Sequence, residues 1–562
     1  ISVAKNKEFY PLSSAQKRLF FLHEFSAEST SYNMPIVNFM GMEVNKDLIV
    51  IALKKLILRH DSLRTSFEKI NGVAYQKISP NATCVLEEHE CSLKDFESYL
   101  KQYIRPFDLD KAPLIRTSLV KISEIGYIWI IDIHHIISDG TSNEILTEDF
   151  FTIYKGEELA DLKIQYKDFS EWQNKKNESG ELEGQKQYWL NQFQESVPRL
   201  DFFADKQRPS IFNFEGGNYS FIINEELTKK IKEFERKNKS TLQMTLVTIL
   251  NILLGKYTGQ EDIVIGCGVA GRRHPDLEHV VGMFINSLAI RNFPEANKTF
   301  SSFYNEVVSN CLAGYENQDI QFEDLVSMLK LERDPSRNPI FDICCVVQNF
   351  ERTEADPLVV SREENNPILN DLLLAWNNTP TSKFDITLFA YEYENEITIN
   401  LEYYKAIFNH SSIQKFGNHF LNVLNIVLNN PHILLSDINV VTHSEEKLLL
   451  NSYVKDQIKE FEYPKSIHKV FEAQAILAPK NTAVIGEDGI LTYDQLNKKS
   501  NQLSRFLREK LEVEPESRIG VLQTHTNELI VSLLGILKAG AAYLPLDCNY
   551  PEDRLLYMLL DS

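Results

Sequence analysis

The residues that could do chemistry are concentrated in one short stretch, residues 133–140, which we call the His-His segment. It contains two adjacent histidines, an aspartate and a glycine, at His134, His135, Asp139 and Gly140. A histidine side chain with an unperturbed pKa near ~6.5 is largely neutral at cytosolic pH, so it can accept a proton as a general base. A histidine that follows an apolar stretch can equally be a hydrogen-bonded structural residue, and the segment alone does not separate these two roles.

The flanking residues predict the elements that would position this segment. Residues 127–133 form a β-branched and aromatic run that is typical of a strand. Side chains on a strand alternate between two faces, so we expect His134 and His135 to point in opposite directions and to do different jobs. Asp139 and Gly140 predict a turn, and residues 141–144 have the spacing of a helix capping box. His135 would then lie where a strand ends and a helix begins.

Two other kinds of site are disfavoured. A metal site built from His134, His135 and Asp139 would need a further histidine or cysteine cluster, and adjacent strand residues diverge. Residues 266–271 match the Gly-x-Gly-x-x-Gly pattern of dinucleotide sites, which also requires a helix at the glycines and an acidic residue about twenty positions later. Pro275 interrupts such a helix, so we interpret the glycines as a turn that allows close backbone approach.

Length and composition indicate a globular protein with several compact units. A chain of 562 residues is too long for one core, and 43% hydrophobic with 25% charged residues is ordinary for a globular protein. A net charge of -20 argues against nucleic acid or an anionic membrane as the main partner. Seven cysteines without metal-type spacing fit a reducing cytosol. No run is long and apolar enough to cross a bilayer, and we expect the chain to be a piece of a longer protein.

The pattern His-His-x-x-x-Asp-Gly of residues 134–140 resembles the signature of the condensation domains of nonribosomal peptide synthetases. Six further segments resemble the other motifs of this family and occur in the family's order, at residues 10–22, 59–67, 166–172, 281–288, 317–326 and 333–341. The departures are small, namely Ser170 where small apolar residues are common, and Ile320-Gln321 where an aromatic residue and proline are common. The resemblance covers residues ~9 to ~440, and the ordered set is far more specific than any one motif.

The last hundred residues resemble a different family. Residues 491–496 and 537–547 are similar to the first two motifs of adenylation domains, which activate an amino acid with ATP. Residues 518–522, 528–537 and 542–546 alternate between strand, helix and strand patterns, which predicts a βαβ unit with a parallel sheet. The glycine-rich phosphate loop of that family does not follow, so we expect an incomplete adenylation domain that is inactive.

The resemblance implies an α/β fold with two chloramphenicol acetyltransferase-like subdomains in a V-shaped pseudo-dimer with a channel. We place the first half at residues 1–180, the second half at 181–440, a linker at 441–463 and the truncated adenylation domain at 464–562. The polar, glycine-bearing residues 177–184 are the predicted hinge between the halves. A monomer is expected, because the internal pseudo-dimer replaces a real one.

The resemblance also implies peptide-bond formation. Donor and acceptor peptidyl carrier proteins would each bring a thioester on a phosphopantetheine arm into the channel, where the acceptor amine attacks the donor thioester. His135 is the expected catalytic residue, which orients or deprotonates the amine and stabilises the tetrahedral charge. His134 is expected to be structural, and Gly140 to let the backbone lie against the substrate. No tightly bound cofactor and no metal are expected, and the location would be the bacterial cytoplasm.

A role for Arg64 follows from the resemblance alone. Arg64 is the second arginine of its motif, and we transfer to it an ion pair with Asp139 that would make the aspartate a brace for the loop. The residues by themselves favour a different partner. Arg64 would then pair locally with Asp61 or Glu68, which contributes little to stability.

Several subtypes of the family remain open. Epimerising relatives share the two histidines but commonly have tryptophan soon after them, where this chain has Asn143, and they are not usually followed by an adenylation domain. Heterocyclising relatives carry an aspartate-rich signature instead. A catalytically silent domain that recruits other enzymes tends to lose the signature, which is intact here. Residues 138–142 resemble the subtype that joins two L-residues, so we predict an L-donor, L-acceptor condensation domain, with the epimerising and silent types as alternatives.

Overall fold

The structure is a computed structural model that describes residues 1–25, 27–123, 125–332, 334–348, 381–393, 395–455 and 466–562. The chain divides into two compact units, the first unit Ile1–Glu446 and the second unit Lys447–Ser562. The described helices are α1 (Ser14–Phe25), α2 (Lys46–Arg59), α3 (Leu93–Tyr103), α4 (Gly140–Tyr154), α5 (Tyr166–Glu178), α6 (Glu183–Gln192), α7 (Glu225–Asn238), α8 (Leu242–Thr258), α9 (Phe300–Glu316), α10 (Phe322–Leu329), α11 (His410–Asn429), α12 (His443–Lys455), α13 (Ile467–Leu477), α14 (Tyr493–Lys510), α15 (Asn527–Ala539) and α16 (Glu552–Asp561).

The strands form separate sheets in the two units. The described strands are β1 (Tyr10–Pro11), β2 (Asn33–Gly41), β3 (Thr65–Ile70), β4 (Val73–Ile78), β5 (Leu86–Cys91), β6 (Ile115–Ile122), β7 (Gly126–His134), β8 (Gly216–Ile223), β9 (Ile263–Val269), β10 (Asn286–Asn292), β11 (Ile343–Gln348), β12 (Ile386–Glu392), β13 (Ile397–Tyr404), β14 (Thr482–Gly486), β15 (Gly489–Thr492), β16 (Arg518–Leu522) and β17 (Ala542–Leu546). The first unit has a four-stranded sheet in the order β2-β7-β6-β5 and a six-stranded sheet in the order β10-β9-β11-β12-β13-β8. Both sheets mix parallel and antiparallel pairs, which confirms the predicted α/β class.

Strand β7 is one of the two inner strands of the four-stranded sheet, as expected for a sequence that is apolar on both faces. Ile131 and Ile133 pack into one buried core, while Ile128 and Ile130 pack into another on the opposite face. The ring of Trp129 stacks on a phenylalanine of α4 at 4.0 Å between centroids. This two-sided packing fixes the strand whose end carries the two histidines.

The glycines of residues 266–271 lie in a different element from the one predicted. Gly266 and Gly268 are inside strand β9, not in a turn. The close approach is present, since a Cβ on Gly266 would lie 2.1 Å from the ring of Phe341, and one on Gly271 would lie 2.0 Å from the carbonyl oxygen of Phe284. Only a short 3-10 turn at Pro275–Leu277 follows, so no helix begins at these glycines.

The second unit contains the predicted βαβ arrangement. Strands β16 and β17 pair in parallel, with α15 between them in the sequence. Helix α14 begins with a capping box, in which Thr492 and Gln495 satisfy each other's backbone groups. Among the described residues, no helix has the length and apolar character needed to cross a membrane. Residues 456–463 of the predicted linker, and Arg333 of the last condensation motif, lie outside the described residues.

Candidate active site

His135 occupies the first position after strand β7. Strand β7 ends at His134, so the alternation of side chains along the strand does not extend to His135. Residues His135–Ile137 form a 3-10 turn that leads to α4. The turn, and not the strand pleat, therefore sets the direction of the His135 ring. The backbone N–H of His135 donates to the carbonyl oxygen of Tyr32 at 2.8 Å, which ties the turn to the residue before β2.

The His135 ring is held in one tautomer. Its Nδ1 lies 2.8 Å from the carbonyl oxygen of Ser138. A carbonyl can only accept, so Nδ1–H is the donor and the neutral ring carries its free lone pair on Nε2. The residue is half-buried. This arrangement presents an acceptor nitrogen in a partly desolvated place.

Burial and a nearby lysine keep His135 uncharged. Burial is the largest cause, and the positive charge of Lys383 the next, of a pKa lowered to about 4. The Ser138 carbonyl and the Asp139 carboxylate act in the opposite direction. The ring is therefore neutral at cytosolic pH and can accept a hydrogen bond, but it is a weak base. These properties suit a residue that orients an amine better than one that removes a proton from an ammonium.

The His134 ring lies against two other aromatic rings. It is buried, and its Nδ1 accepts the backbone N–H of Ile136 at 3.1 Å. Its ring meets the rings of Phe107 and His23 edge-on, at 6.0 and 6.1 Å between centroids. Burial, followed by the charges of His135 and His23, lowers the pKa of His134 to about 3. These contacts support the structural role expected for it.

Asp139 braces the start of α4. Its buried carboxylate accepts the backbone N–H of Ser142 at 2.8 Å, which makes Asp139 the N-cap of α4 in place of the predicted capping box at residues 141–144. The same carboxylate accepts the N–H of Phe284 at 2.9 Å. Arg272 donates to both of its oxygens, at 2.8 and 3.1 Å. The aspartate is thus fully hydrogen-bonded and held by residues that lie far along the chain.

The predicted ion pair between Arg64 and Asp139 is wrong. Arg64 donates to the carboxylate of Asp61 at 2.5 Å and to the carbonyl oxygen of Ile57 at 3.0 Å. Arg64 ends a 3-10 turn that begins at Asp61, so the two charges are brought together locally. The brace itself exists, but Arg272 provides it. No pattern in the sequence connects Arg272 with Asp139, because the two residues lie 133 positions apart.

Residues far apart in the sequence meet beside the His-His segment. The Oγ of Ser142 donates to the carbonyl oxygen of Gly282 at 2.9 Å and accepts the N–H of the same residue at 3.0 Å. Tyr166 of α5 donates to the carbonyl oxygen of Met283 at 2.5 Å. A Cβ on Gly282 would lie 1.8 Å from the Tyr166 ring, so this approach requires glycine. Residues 281–284, which we call the docking segment, therefore fix the helix that carries Asp139.

Gly140 is the first residue of α4 and not part of a separate turn. A Cβ built on it would meet no atom within 4 Å. Packing therefore does not explain the glycine. The approach of a substrate to this backbone, expected from the resemblance, stays a prediction.

Comparisons with known proteins place these features in context. The Condensation domain family model matches residues 6–450, and the AMP-binding enzyme model matches residues 471–562. The chain is 42% identical to bacitracin synthase 3 of Bacillus licheniformis over 562 residues, which is 100% of this chain and 9% of that protein. It is 39% identical to gramicidin S synthase 2 of Aneurinibacillus migulanus, over 99% of this chain and 12% of that protein. The chain thus spans about a tenth of the length of these relatives.

Solved structures share the fold at low sequence identity. A four-domain nonribosomal peptide synthetase bound to AMP and glycine matches with a TM-score of 0.75 and 19% identity, over 100% of this chain and 43% of that chain. The condensation domain of the monacolin K polyketide synthase MokA matches with a TM-score of 0.64 and 17% identity, over 77% of this chain and 100% of that one.

Proposed function

The chain belongs to the condensation-domain family of nonribosomal peptide synthetases, and from this membership we propose that its first unit joins two carrier-bound amino acids through a peptide bond. The acceptor's α-amine attacks the carbonyl carbon of the donor thioester. A C–N bond forms, the C–S bond breaks, and the lengthened chain remains on the acceptor. The amine loses a proton, and the departing thiolate of the donor arm takes one up.

The observation that carries this proposal is the hydrogen bond from Nδ1–H of His135 to the Ser138 carbonyl. It leaves Nε2 as an acceptor for an N–H of the incoming amine. Holding the amine against an already activated thioester can supply much of the acceleration, by analogy with effective molarities of ~10⁵ M or more. Because the pKa of His135 is lowered to about 4, we assign His135 to orienting the amine, with proton removal as a secondary role.

The partners follow from the same reaction. The substrates are the phosphopantetheine arms of a donor and an acceptor peptidyl carrier protein, each loaded with an aminoacyl or peptidyl thioester. Residues 138–142 support the subtype that joins an L-donor to an L-acceptor. We propose, as the resemblance of residues 464–562 to the first part of an adenylation domain implies, that the second unit does not adenylate by itself.

The test is an intact-mass assay of transfer between carrier proteins. A donor carrier protein loaded with L-leucine or D-leucine and an acceptor carrier protein loaded with an L-amino acid are mixed with the 562-residue chain. We expect a dipeptide on the acceptor, formed faster from L-leucine than from D-leucine. The His135→Ala variant is expected to lose at least about 100-fold in rate, the lower end for a positioned acid–base group. Exposed His432→Ala is the matched control and is expected to behave as the unchanged chain.

The other outcomes separate the alternatives. A dipeptide whose formation is unaffected by His135→Ala would leave peptide transfer in place and remove His135 from it. Deuterium exchange at the donor α-carbon without transfer would indicate the epimerising type. The absence of both reactions across a broad panel of aminoacyl pairs would favour a silent domain that recruits other enzymes.

A further inference from the structure

A lysine of the second half reaches the residues that hold His135. The Nζ of Lys383 lies over the ring of Tyr32, 5.4 Å from its centroid. The backbone carbonyl of the same tyrosine accepts the N–H of His135. Tyr32 therefore connects the two residues, with the lysine on its ring and the histidine on its backbone. The ring of Phe214, also from the second half, meets Tyr32 edge-on at 6.4 Å.

The backbone around Lys383 is held in place before strand β12. The side chain of Asn338 donates to the Lys383 carbonyl oxygen at 2.9 Å. The N–H of buried Ser382 donates to the carbonyl oxygen of Phe214 at 3.0 Å. Two residues later, Asp385 accepts both ends of the Arg208 guanidinium, one of them at 2.8 Å. The position of the lysine is thus set by the fold and not by a free loop.

The charge of Lys383 is not neutralised by an ion pair within the described part of the chain. The nearby cation Arg18, in contrast, donates to the Glu323 carboxylate at 2.8 Å. Burial lowers the pKa of Lys383, which Glu402 of β13 opposes and Arg18 supports. The lysine in turn lowers the pKa of both histidines of the His-His segment, and Asp139 opposes this at His135. Its ammonium lies on the ring of Tyr32, whose carbonyl holds the N–H of His135, so its positive charge lies near the site.

We propose that Lys383 is an electrostatic positioning residue of the His135 site. Its ammonium disfavours a protonated acceptor amine and favours the negatively charged oxygen that forms when the amine attacks the thioester. This inference rests on the proposed function, because it assigns the lysine a part in that reaction.

The chemistry gives such a charge two uses. An amine must be neutral to attack, and a nearby cation makes a second positive charge on nitrogen less favourable. As the C–N bond forms, the carbonyl π electrons move to oxygen, and a fixed positive charge in a water-poor site stabilises that oxyanion. When the oxyanion collapses, the electrons of the C–S bond leave with sulfur as a thiolate, which the same charge also favours.

The first test does not depend on activity. The chain is labelled with ¹³C in its histidine rings, the His135 signal is identified by its loss in His135→Ala, and its titration is followed by NMR. In Lys383→Met we expect the pKa of His135 to rise by about one pKa unit, the lower end for the loss of a close like charge. Lys383→Arg keeps the charge and is expected to titrate as the unchanged chain, as is the control Lys415→Met on the exposed face of α11. An unchanged titration in Lys383→Met would overturn the proposal.

The second test is the pH profile of peptide transfer. We expect Lys383→Met to lower the rate about 10-fold near neutral pH, with recovery as the pH is raised and the amine deprotonates. Lys383→Arg is expected to retain most of the rate. An equal loss at every pH without rescue by Lys383→Arg would mean a merely structural lysine and would overturn the inference. If the unchanged chain transfers no peptide at all, the proposed function fails, while the NMR titration still decides whether the lysine acts on His135.

Discussion

Asp139 is the residue on which the geometry of the His-His segment depends. Its carboxylate is buried, caps α4 and accepts the guanidinium of Arg272. Removing the cation from a buried ion pair is strongly destabilising, because the remaining charge has lost both its solvation and its partner charge. Arg64 makes its ion pair with Asp61, three positions earlier. We therefore expect the loss of Arg64 to reduce stability less than the loss of Arg272.

These two arginines give a prediction at the scale of the residue. We expect Arg272→Met to lower the free energy of unfolding by about 3–5 kcal/mol, the range for breaking a buried pair. The matched change Arg64→Met is expected to cost less, about 1–2 kcal/mol, because Lys167 still pairs with the Asp61 carboxylate. Urea unfolding followed by tryptophan fluorescence measures both.

A further variant keeps this prediction testable if Arg272→Met folds poorly. In Asp139→Asn combined with Arg272→Met, the unpaired charge is gone, so part of the lost stability should return. Equal losses for Arg64→Met and Arg272→Met would contradict the assignment of the brace to Arg272.

At the scale of the element, the docking segment holds α4 and α5 in position. Because Gly282 has no side chain, its backbone packs against Tyr166 and exchanges hydrogen bonds with Ser142. Close-packed contacts of this kind do not accept added volume without a shift of the backbone. The glycine at the start of α4, Gly140, has open space around it instead.

Alanine substitutions at Gly282 and Gly140 are expected to have different effects on stability. Gly282→Ala places a methyl group 1.8 Å from a ring carbon of Tyr166, so we expect a loss of about 1–3 kcal/mol in the free energy of unfolding. Gly140→Ala should not destabilise, since alanine is favoured over glycine in a helix by roughly 0.5–1 kcal/mol. If a substrate uses the space beside Gly140, peptide transfer by Gly140→Ala will nevertheless fall. Thermal unfolding and the intact-mass assay report the two effects, and equal destabilisation would refute the contrast.

The sequence predicts elements better than it predicts the contacts between them. The sequence predicts strand β7 and the helix after it, because the apolar run and the turn residues lie close together in the chain. The N-cap is displaced from Thr141 to Asp139, since an acid at the end of a turn competes for the same backbone N–H groups. The β9 glycines look like a turn, but Gly266 makes room for Phe341 and Gly268 lies against Val346. Arg272 lies 133 residues from Asp139, and no spacing rule reaches that far.

At the scale of the whole molecule, stability and chemistry are linked through the protonation of buried groups. The folded first unit keeps His134 and His135 neutral, with pKa values lowered to about 3 and about 4. Burial also raises the pKa of Asp132 to about 6 and that of Asp342 to about 7. The histidines stabilise the fold above their unfolded pKa, and this is lost as the pH falls. The two carboxyl groups act in the opposite direction, because their contribution is lost as the pH rises through their folded pKa.

His135 allows the histidine contribution to be isolated. From about pH 7 to about pH 5 the unfolded chain protonates this residue and the folded unit does not, so acid favours unfolding. We expect the stability advantage of the unchanged chain over His135→Ala to shrink by about 1–2 kcal/mol across that range. Urea unfolding at several pH values measures the difference between the two chains. If the free energies of unfolding of His135→Ala and of the unchanged chain change equally with pH, the His135 ring has the same charge in the folded and unfolded states, and the prediction is wrong.

The pairing of Asp139 with Arg272 also limits how this chain can be recombined with a relative. A chimera joined at residues 178–183, between α5 and α6, takes the aspartate from one parent and the arginine from the other. It also takes Tyr166 and Gly282 from different parents, although their contact tolerates almost no change in volume. An exchange of modules after Glu446, where the first unit ends, keeps each of these partners with its own parent. Hybrid synthetases cut at that boundary inherit an intact His135 site.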